Sequence, residues 1–91
     1  MGNTIYRLNE DRVLFTELDD EAVIYDMEND QYFELNTTLS TILKHVQNNL
    51  KFSEIVLNLM KEYEVDQDIC EQQLAVSLEE LLTRKFIYIE G

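Results

Sequence analysis

Two side chains that often carry out acid–base or nucleophilic chemistry occur once each in this chain, as His45 and Cys70. A histidine acts as a general base or a metal ligand, and a cysteine as a nucleophile or a metal ligand. Zinc sites draw three or four ligands from several such residues, and one of each provides no such set. We therefore expect no metal site, no cofactor and no disulfide. Cys70 is predicted to be a buried, inert thiol and His45 a surface or interfacial helix residue.

Carboxylates are the other side chains that could act in catalysis, and the chain has 19 Asp and Glu residues. General acid–base catalysis would need them in a cleft that shifts their pKa values, and the sequence gives no sign of one. The runs Asp19-Asp20-Glu21 and Glu79-Glu80 are most simply solvated. Gly stands only at positions 2 and 91 and Pro is absent, so glycine-rich phosphate loops and nucleophile elbows are excluded. We expect a protein that is not an enzyme.

The formal net charge is −12 and is unevenly placed. Residues 1–36 hold ten acids and two bases (net −8), and residues 37–91 hold nine acids and five bases (net −4). This field repels nucleic acid and acidic lipid and favours cationic partners, besides promoting solubility. No run approaches the roughly 20 apolar residues of a membrane span. We predict one cytoplasmic domain over residues 1–91, with its core at about 12–89.

Three β-strands are predicted near the start, because residues 12–18, 21–27 and 31–35 are rich in β-branched and aromatic types. The turns at Asp19-Asp20 and at Glu28 to Asp30 are short. Short connections make consecutive antiparallel neighbours, so the strands form a meander.

Helical periodicity follows the strands. Leu39, Ile42, Leu43 and Val46 recur at i, i+3, i+4 and i+7, after a cap at Asn36 or Thr37. Ser53 is predicted to cap a second helix, whose buried stripe comprises Ile55, Val56, Leu59, Met60 and Tyr63. Asp66 or Asp68 opens a third. The predicted fold is α+β, a three-stranded meander followed by three helices, winged helix-turn-helix-like, but the acidic third helix excludes DNA binding.

The third helix has two faces. At about 100° per residue, one side forms a core stripe of Cys70, Leu74, Leu78, Leu81 and Leu82. Nearly opposite lie Ile69 and Val76, which share their side with Gln72, Gln73 and Glu80. This second face is either ordinary surface or the wall of a groove.

The third strand, QYFEL, raises the question of its partner. One flank meets the second strand, and the other is an edge unless residues 1–11 or 86–89 cover it. An open edge can pair with an added strand, and strand addition of this kind is a known mode of peptide binding. The alternative is a structural subunit that pairs this edge with itself or with one folded partner. Strand alternation groups Phe33 with Leu35 as the inward pair and Tyr32 with Glu34, but leaves open which aromatic ring points to the groove.

The run DDEAVIYDMENDQYFELNTTLSTILKHV resembles the PqqD-like (pyrroloquinoline quinone biosynthesis protein D) pattern. In that pattern a strand ending in Asp, here Asp26, precedes a polar turn and an aromatic-aromatic-x-Leu-Asn strand, here residues 32–36. FSEIVLNLMKEYEVD resembles the second helix of the family and LEELLTRKFI the end of its third helix. One departure is that Asn29-Asp30 and residues 38–40 stand where the family often has Gly.

The resemblance implies a recognition element for precursor peptides of ribosomal origin (RiPPs). Such elements bind a leader segment as an antiparallel strand beside the third strand and against the third helix, and deliver it to modifying enzymes. The chain is similar to the discrete recognition proteins of lasso-peptide pathways, whose partners are a leader peptidase and a macrocyclising synthetase. The net charge predicts a leader with basic residues. The predicted peptide-binding residues are Gln31, Tyr32, Phe33, Glu34, Leu35, Ile69, Gln72, Gln73, Val76 and Glu80.

Overall fold

The computed structural model describes residues 2–19 and 21–90. Five strands and three helices follow one another along the chain. They are β1 (Tyr6–Leu8), β2 (Val13–Leu18), β3 (Glu21–Asp26), β4 (Gln31–Leu35), α1 (Thr37–Gln47), α2 (Phe52–Tyr63), α3 (Gln67–Thr83) and β5 (Ile87–Ile89). The α+β class, the meander and its three following helices are as the sequence predicts. No helix within the described ranges is long and apolar enough to cross a membrane.

The three predicted strands form an antiparallel sheet in the order β2-β3-β4. β2 and β3 are joined by a tight turn in which Asp19 has a positive φ of 53°, a conformation that Asp tolerates better than most residues. Asp20, the second residue of the predicted turn, lies outside the described residues. The turn between β3 and β4 is held by Asp26, whose carboxylate accepts hydrogen bonds from the Glu28 backbone and the Asn29 side chain at 3.1 and 3.0 Å.

The two ends of the chain form a separate two-stranded sheet, in which β1 and β5 pair antiparallel. Its register places Arg7 opposite Tyr88. The sequence leaves open whether residues 1–11 or 86–89 cover the third predicted strand. In the described part of the chain, β1 and β5 pair with each other and neither lies beside β4.

The helix starts agree with the sequence in two cases of three. The Asn36 side chain caps α1 by accepting from the Leu39 backbone at 2.8 Å, and Asp66 precedes α3. The prediction that Ser53 caps α2 is wrong, because the helix begins at Phe52 and its N-cap is Lys51, two residues before Ser53. There the Glu54 carboxylate accepts the Lys51 backbone N–H at 2.8 Å, which satisfies a free donor at the start of the helix.

One core lies between the helices and the inner face of the sheet, where Val13 and Ile24 are fully buried. Four of the five residues predicted for the α3 stripe are buried, and Leu82 is partly buried. Tyr63, predicted to be buried on α2, is exposed instead, since it lies in the last turn and its hydroxyl is within 3.1 Å of Thr41 Oγ1. α3 packs through this apolar stripe against α2 and β5, whereas α1 is the helix that contacts β3 and β4.

Candidate functional site

The outer edge of β4 is open: within residues 2–19 and 21–90, β4 pairs only with β3. The direction of its backbone groups follows from the register. Met27 N–H donates to the Arg12 carbonyl at 2.8 Å, so these two opposed residues occupy a hydrogen-bonded position of the β2–β3 ladder. Such positions alternate along an antiparallel pair.

The same alternation, extended across the sheet, identifies the backbone N–H and C=O groups of β4 that have no partner on β3. Val23 lies opposite both Thr16 on β2 and Glu34 on β4. The alternation directs the N–H and C=O of Val23 toward Thr16, so Glu34 has no ladder partner on β3. By the same reasoning Tyr32 and Glu34 both direct their N–H and C=O groups to the open edge, while Phe33 bonds to β3. The edge therefore offers two donors and two acceptors to an incoming strand.

A cavity of about 170 Å³ lies beside this edge, between β4 and the C-terminal half of α3. Its lining residues are Phe33, Glu34, Leu35, Leu39, Glu80, Leu81, Arg84 and Phe86. Most of these side chains are apolar, and a cavity near 150 Å³ is large enough to admit a benzene ring. The cavity can hold one apolar side chain of a strand paired with β4.

Phe33 and Tyr32 have opposite surroundings. Phe33 is partly buried, with its ring centroid 5.5 Å from that of Phe86 and the Arg84 guanidinium 5.3 Å above it. Tyr32 is 72% exposed on the outer face, where it stacks on Tyr25 at 4.5 Å between centroids. The expected inward pairing of Phe33 with Leu35 is confirmed, and Phe33 is the aromatic residue that lines the groove.

A second, more polar cavity of about 410 Å³ continues the groove past Gln31 and shares Phe33, Arg84 and Phe86 with the first. It also contains Arg12, whose guanidinium lies 2.8 Å from Glu28 and 3.4 Å from Asp26. Lys85 completes the lining at the end of α3. The groove thus changes from apolar at its Leu35 end to polar and partly basic at its Gln31 end.

The predicted α3 residues divide into several environments. Glu80 lines the cavity beside β4, whereas Gln73 lines a different cavity of about 190 Å³ between the three helices. Gln72 lies beside Ala75 near the start of the chain. Ile69 is half exposed and Val76 is 67% exposed, and neither lines the cavity beside β4. Ile69 and Val76 share the exposed flank of α3 with Gln73 and Glu80.

Four residues of the cavity beside β4 lie outside the predicted site: Leu39, Leu81, Arg84 and Phe86. Periodicity predicts Leu39 and Leu81 on helical core stripes, and it does not reveal that they also line a cavity. Arg84 and Phe86 carry a signal that could have found them. A base and an aromatic residue directly after a helix that flanks the open strand are candidates for the lining of the groove between them.

His45 and Cys70, the residues with potential for chemistry, do not line either cavity of this groove. Cys70 is buried, and burial raises the pKa of its thiol. The His45 imidazole lies 3.3 Å from the Glu62 carboxylate on the neighbouring helix. Among the described residues there is no group of three or more His, Cys, Asp or Glu that could hold a metal ion. The site offers backbone hydrogen bonds, an apolar cavity and charge.

Comparison with protein families matches residues 21–87 to the family described as coenzyme PQQ synthesis protein D (PqqD). Two solved structures share the fold. "TbiB1 in Complex with the TbiA(beta) Leader Peptide" superposes with a TM-score of 0.82 at 28% identity, over 93% of this chain and 95% of that chain. "Lasso peptide synthetase B1 complexed with the leader peptide" gives a TM-score of 0.81 at 22% identity, over 91% of this chain and 96% of that chain. No curated protein matches this chain.

Proposed function

The chain belongs to the PqqD family, and from that premise we propose that it is a non-catalytic adaptor that binds the leader segment of a ribosomally made precursor peptide. The leader adds to the sheet as a strand beside β4. The observation that carries this proposal is the open edge of β4 next to an apolar cavity. It is supported by the fold shared with TbiB1, which was solved with a leader peptide bound.

Backbone pairing supplies the part of the affinity that is independent of leader sequence. Tyr32 and Glu34 together direct two N–H and two C=O groups to the edge, so a leader strand forms up to four hydrogen bonds with them. Each such bond contributes about 0.5–1.5 kcal/mol net. Gln31, Phe33 and Leu35 hold the edge in place through their own bonds to β3.

The cavity supplies specificity. A strand that runs antiparallel to β4 enters at Leu35 and leaves at Gln31, so its N-terminal part passes the apolar end of the groove first. One leader side chain, aliphatic or aromatic, fills the space bounded by Leu35, Leu39 and Leu81. Burial of such a side chain contributes roughly 1.5–3 kcal/mol.

Charge sets further preferences along the leader. The net charge of −12 favours a leader with basic residues. Glu80 on the groove wall and Glu34, on the outer face of β4 beside Tyr32, both lie next to the path of the leader. At the Gln31 end the lining includes Asp26 and Glu28, which pair with Arg12, and Arg84, which lies 3.6 Å from Glu80. Lys85 also lines this end, and a single carboxylate in the leader, downstream of the apolar anchor, can pair with it.

The exposed flank of α3 extends the site upstream. The segment of the leader that precedes the paired strand continues past Glu80 toward Val76, Gln73 and Ile69, and Gln72 borders this path. The cavity that contains Gln73 lies between the three helices on the same side of α3. These residues contribute contact area rather than backbone pairing.

The recognition module then presents the bound peptide to enzymes that act on it, a leader peptidase and a macrocyclising synthetase in a lasso-peptide pathway. Ordering a flexible leader offsets part of the contact energy. The dissociation constant is therefore on the order of micromolar or lower.

Calorimetric titration with the leader of the precursor peptide from the same pathway tests the proposal. We expect one-to-one binding, and mass spectrometry should show the peptide unchanged after incubation with the adaptor and ATP. A leader in which the apolar anchor is replaced by Asp is the matched control and should bind at least tenfold more weakly. Equal binding of both peptides, or any change in peptide mass, would refute the proposal.

A further inference from the structure

Rows of side chains run across the outer face of the three-stranded sheet, and two of these rows end at the open edge of β4. Directly opposed residues of neighbouring strands point to the same face, where their side chains are in contact distance. Thr16, Val23 and Glu34 oppose one another across β2, β3 and β4, and we call them the acid row. A strand added at β4 extends this row by the residue that lies opposite Glu34.

The second row, which we call the aromatic row, comprises Leu14, Tyr25 and Tyr32. The Tyr32 ring stacks on Tyr25, whose hydroxyl donates a hydrogen bond to Asp30. One face of the Tyr32 ring is thus occupied, and the rest of the side chain is exposed at the edge. A strand added at β4 places its next outward residue against this ring.

Glu34, the last member of the acid row, has a carboxylate that is available to a partner. Within residues 2–19 and 21–90 it forms no ion pair. Its neighbours in the row are uncharged, and β2, β3 and β4 contain no Lys or Arg. Arg84, which lines the cavity on the other face, lies 3.6 Å from Glu80 and over the Phe33 ring. A base that pairs with Glu34 can therefore come from the leader.

The direction of the leader decides which of its residues meets each row. The apolar anchor lies opposite Leu35, and the leader runs from there toward Gln31. The residue directly after the anchor then lies opposite Glu34, and we call it the first outward residue. The third residue after the anchor lies opposite Tyr32 and is the second outward residue. Both share the outer face, while the residue between them points into the groove.

We propose that the outer face selects two alternate residues of the leader, a Lys or Arg as the first outward residue and an aromatic or long aliphatic residue as the second. Glu34 pairs with the base, and the Tyr32 ring packs on the second residue. This inference rests on the proposed function and adds two sequence requirements to the apolar anchor. Opposite charges and aromatic pairs directly across antiparallel strands are stabilising, and like charges there are destabilising.

Titration of the full-length adaptor with variants of the cognate leader tests the charged pair. The anchor is identified as the leader residue whose replacement by Asp weakens binding most, and the residue after it is set to Lys or to Glu. Wild type should bind the Lys peptide about two- to fivefold more tightly than the Glu peptide. This preference should shrink as salt is added, because an exposed pair is screened. Glu34→Lys should invert it.

The matched control for the charge exchange is Glu21→Lys. Glu21 is exposed on the same outer face, at the start of β3, and its exchange alters the net charge by the same amount. Because it does not lie at the open edge, Glu21→Lys should keep the wild-type preference for the Lys peptide. Both substitutions are at exposed positions, so the Tm of each variant should be close to that of wild type.

The aromatic row gives a second, independent readout. A leader with Phe as its second outward residue should bind wild type about two- to fivefold more tightly than one with Ser there. Tyr32→Ser should abolish this difference. Tyr88→Ser, at a half-exposed tyrosine of the terminal two-stranded sheet, should retain it.

The outcomes separate this inference from the proposed function. Equal affinities of wild type for the Lys and Glu peptides would overturn the inference and leave leader binding intact. Inversion of the preference by Glu21→Lys would also overturn it, since net charge rather than Glu34 would then select the base. A difference between Phe and Ser that survives in Tyr32→Ser would overturn the role of Tyr32. Failure of every leader peptide to bind wild type would refute the proposed function and the inference with it.

Discussion

The three-stranded sheet ends in two strands, β2 and β4, and within the described ranges neither has a partner on its outer side. The two edges offer the same kinds of free backbone group. On β4 these groups belong to Tyr32 and Glu34, and the same alternation assigns those of β2 to Phe15 and Glu17. Val13 also points outward, but its N–H donates to the Asn9 carbonyl at 2.9 Å. Either edge could template a strand.

What differs is the surroundings of each edge. Beside β4 lie an apolar cavity and the end of α3, with Arg84 over the Phe33 ring. None of the cavities described above is lined by a residue of β2, whose Glu17 is paired with Lys44 at 2.9 Å. An unpaired strand provides hydrogen bonds that any peptide can use. A neighbouring helix that leaves room for one side chain is what makes an edge selective.

The largest expected effect comes from loosening the helix that forms the wall of the β4 groove. Leu78 is fully buried on α3, and Leu78→Ala should lower the free energy of unfolding by about 2–5 kcal/mol through the cavity it leaves. Chemical denaturation measures this loss. At a temperature where the variant is folded, leader affinity should be near that of wild type. A loss below about 1 kcal/mol would contradict the assignment of Leu78 to the core.

A matched pair of proline substitutions tests directly which of the two edges binds the leader. Glu34→Pro removes an N–H that points away from β3, so the sheet tolerates it, while the leader loses a donor and keeps an unpaired carbonyl. Leader affinity should fall about tenfold or more. Glu17→Pro makes the same change at an outward position of β2 and should leave leader affinity within about twofold. Calorimetric titration measures the leader affinity of both variants. A larger loss for Glu17→Pro than for Glu34→Pro would place the leader on β2.

A smaller effect is expected on the exposed flank of α3. Val76→Ser should weaken leader binding about three- to fivefold, the equivalent of roughly one buried methylene group. The free energy of unfolding should change by no more than about 0.5 kcal/mol, as for other surface positions. Val76→Asp tests charge at the same position. If both variants bind the leader as wild type does, the leader does not extend along α3 past Glu80.

The smallest effect concerns the turn that leads into β4. Burial, the largest influence on Asp26, would raise its pKa, but hydrogen bonds from Asn29 and from the Glu28 backbone, with Arg12 nearby, outweigh it and lower the pKa. A carboxyl group with a lowered folded-state pKa stabilises the fold above its unfolded pKa of about 3.9, and this contribution is lost as pH falls through the lower folded value.

Asp26→Asn should therefore lower Tm at pH 7, and the difference from wild type should shrink at acidic pH. Thermal unfolding at several pH values measures this. Asp19→Asn, in the turn on the β2 side, is the control. A pH-independent difference between Asp26→Asn and wild type would show that the charge of Asp26 does not stabilise the turn.

Much of the fold could be predicted because local signals agree with the tertiary structure. The β4 strand at residues 31–35 and the cap at Asn36 match the structure, and the α3 stripe follows from 3.6-residue periodicity. The predicted cap at Ser53 is wrong although Ser is a good capping residue, because the observed contact at the start of α2 joins Glu54 to the Lys51 backbone. Local patterns do not decide between two such candidates.

The candidate site was harder to predict because it is formed by residues distant in sequence. Strand alternation placed Phe33 inward, but the side of α3 that meets β4 depends on the packing of the helix. A helical wheel divides α3 into buried and exposed faces but says nothing about Arg84, which follows the helix and lies over Phe33. Likewise, the pairing of residues 6–8 with 87–89, which leaves β4 open, has no signal in either segment alone.

Hydrogen exchange of individual amides, followed by NMR with and without the cognate leader, tests the central claim most directly. The two edges serve as each other's control in one experiment. Leader binding by strand addition to β4 predicts new protection at the amides of Tyr32 and Glu34, with chemical-shift changes at Glu80 and Arg84 and no new protection in β2. New protection at Phe15 and Glu17, with Tyr32 and Glu34 unchanged, would contradict the account.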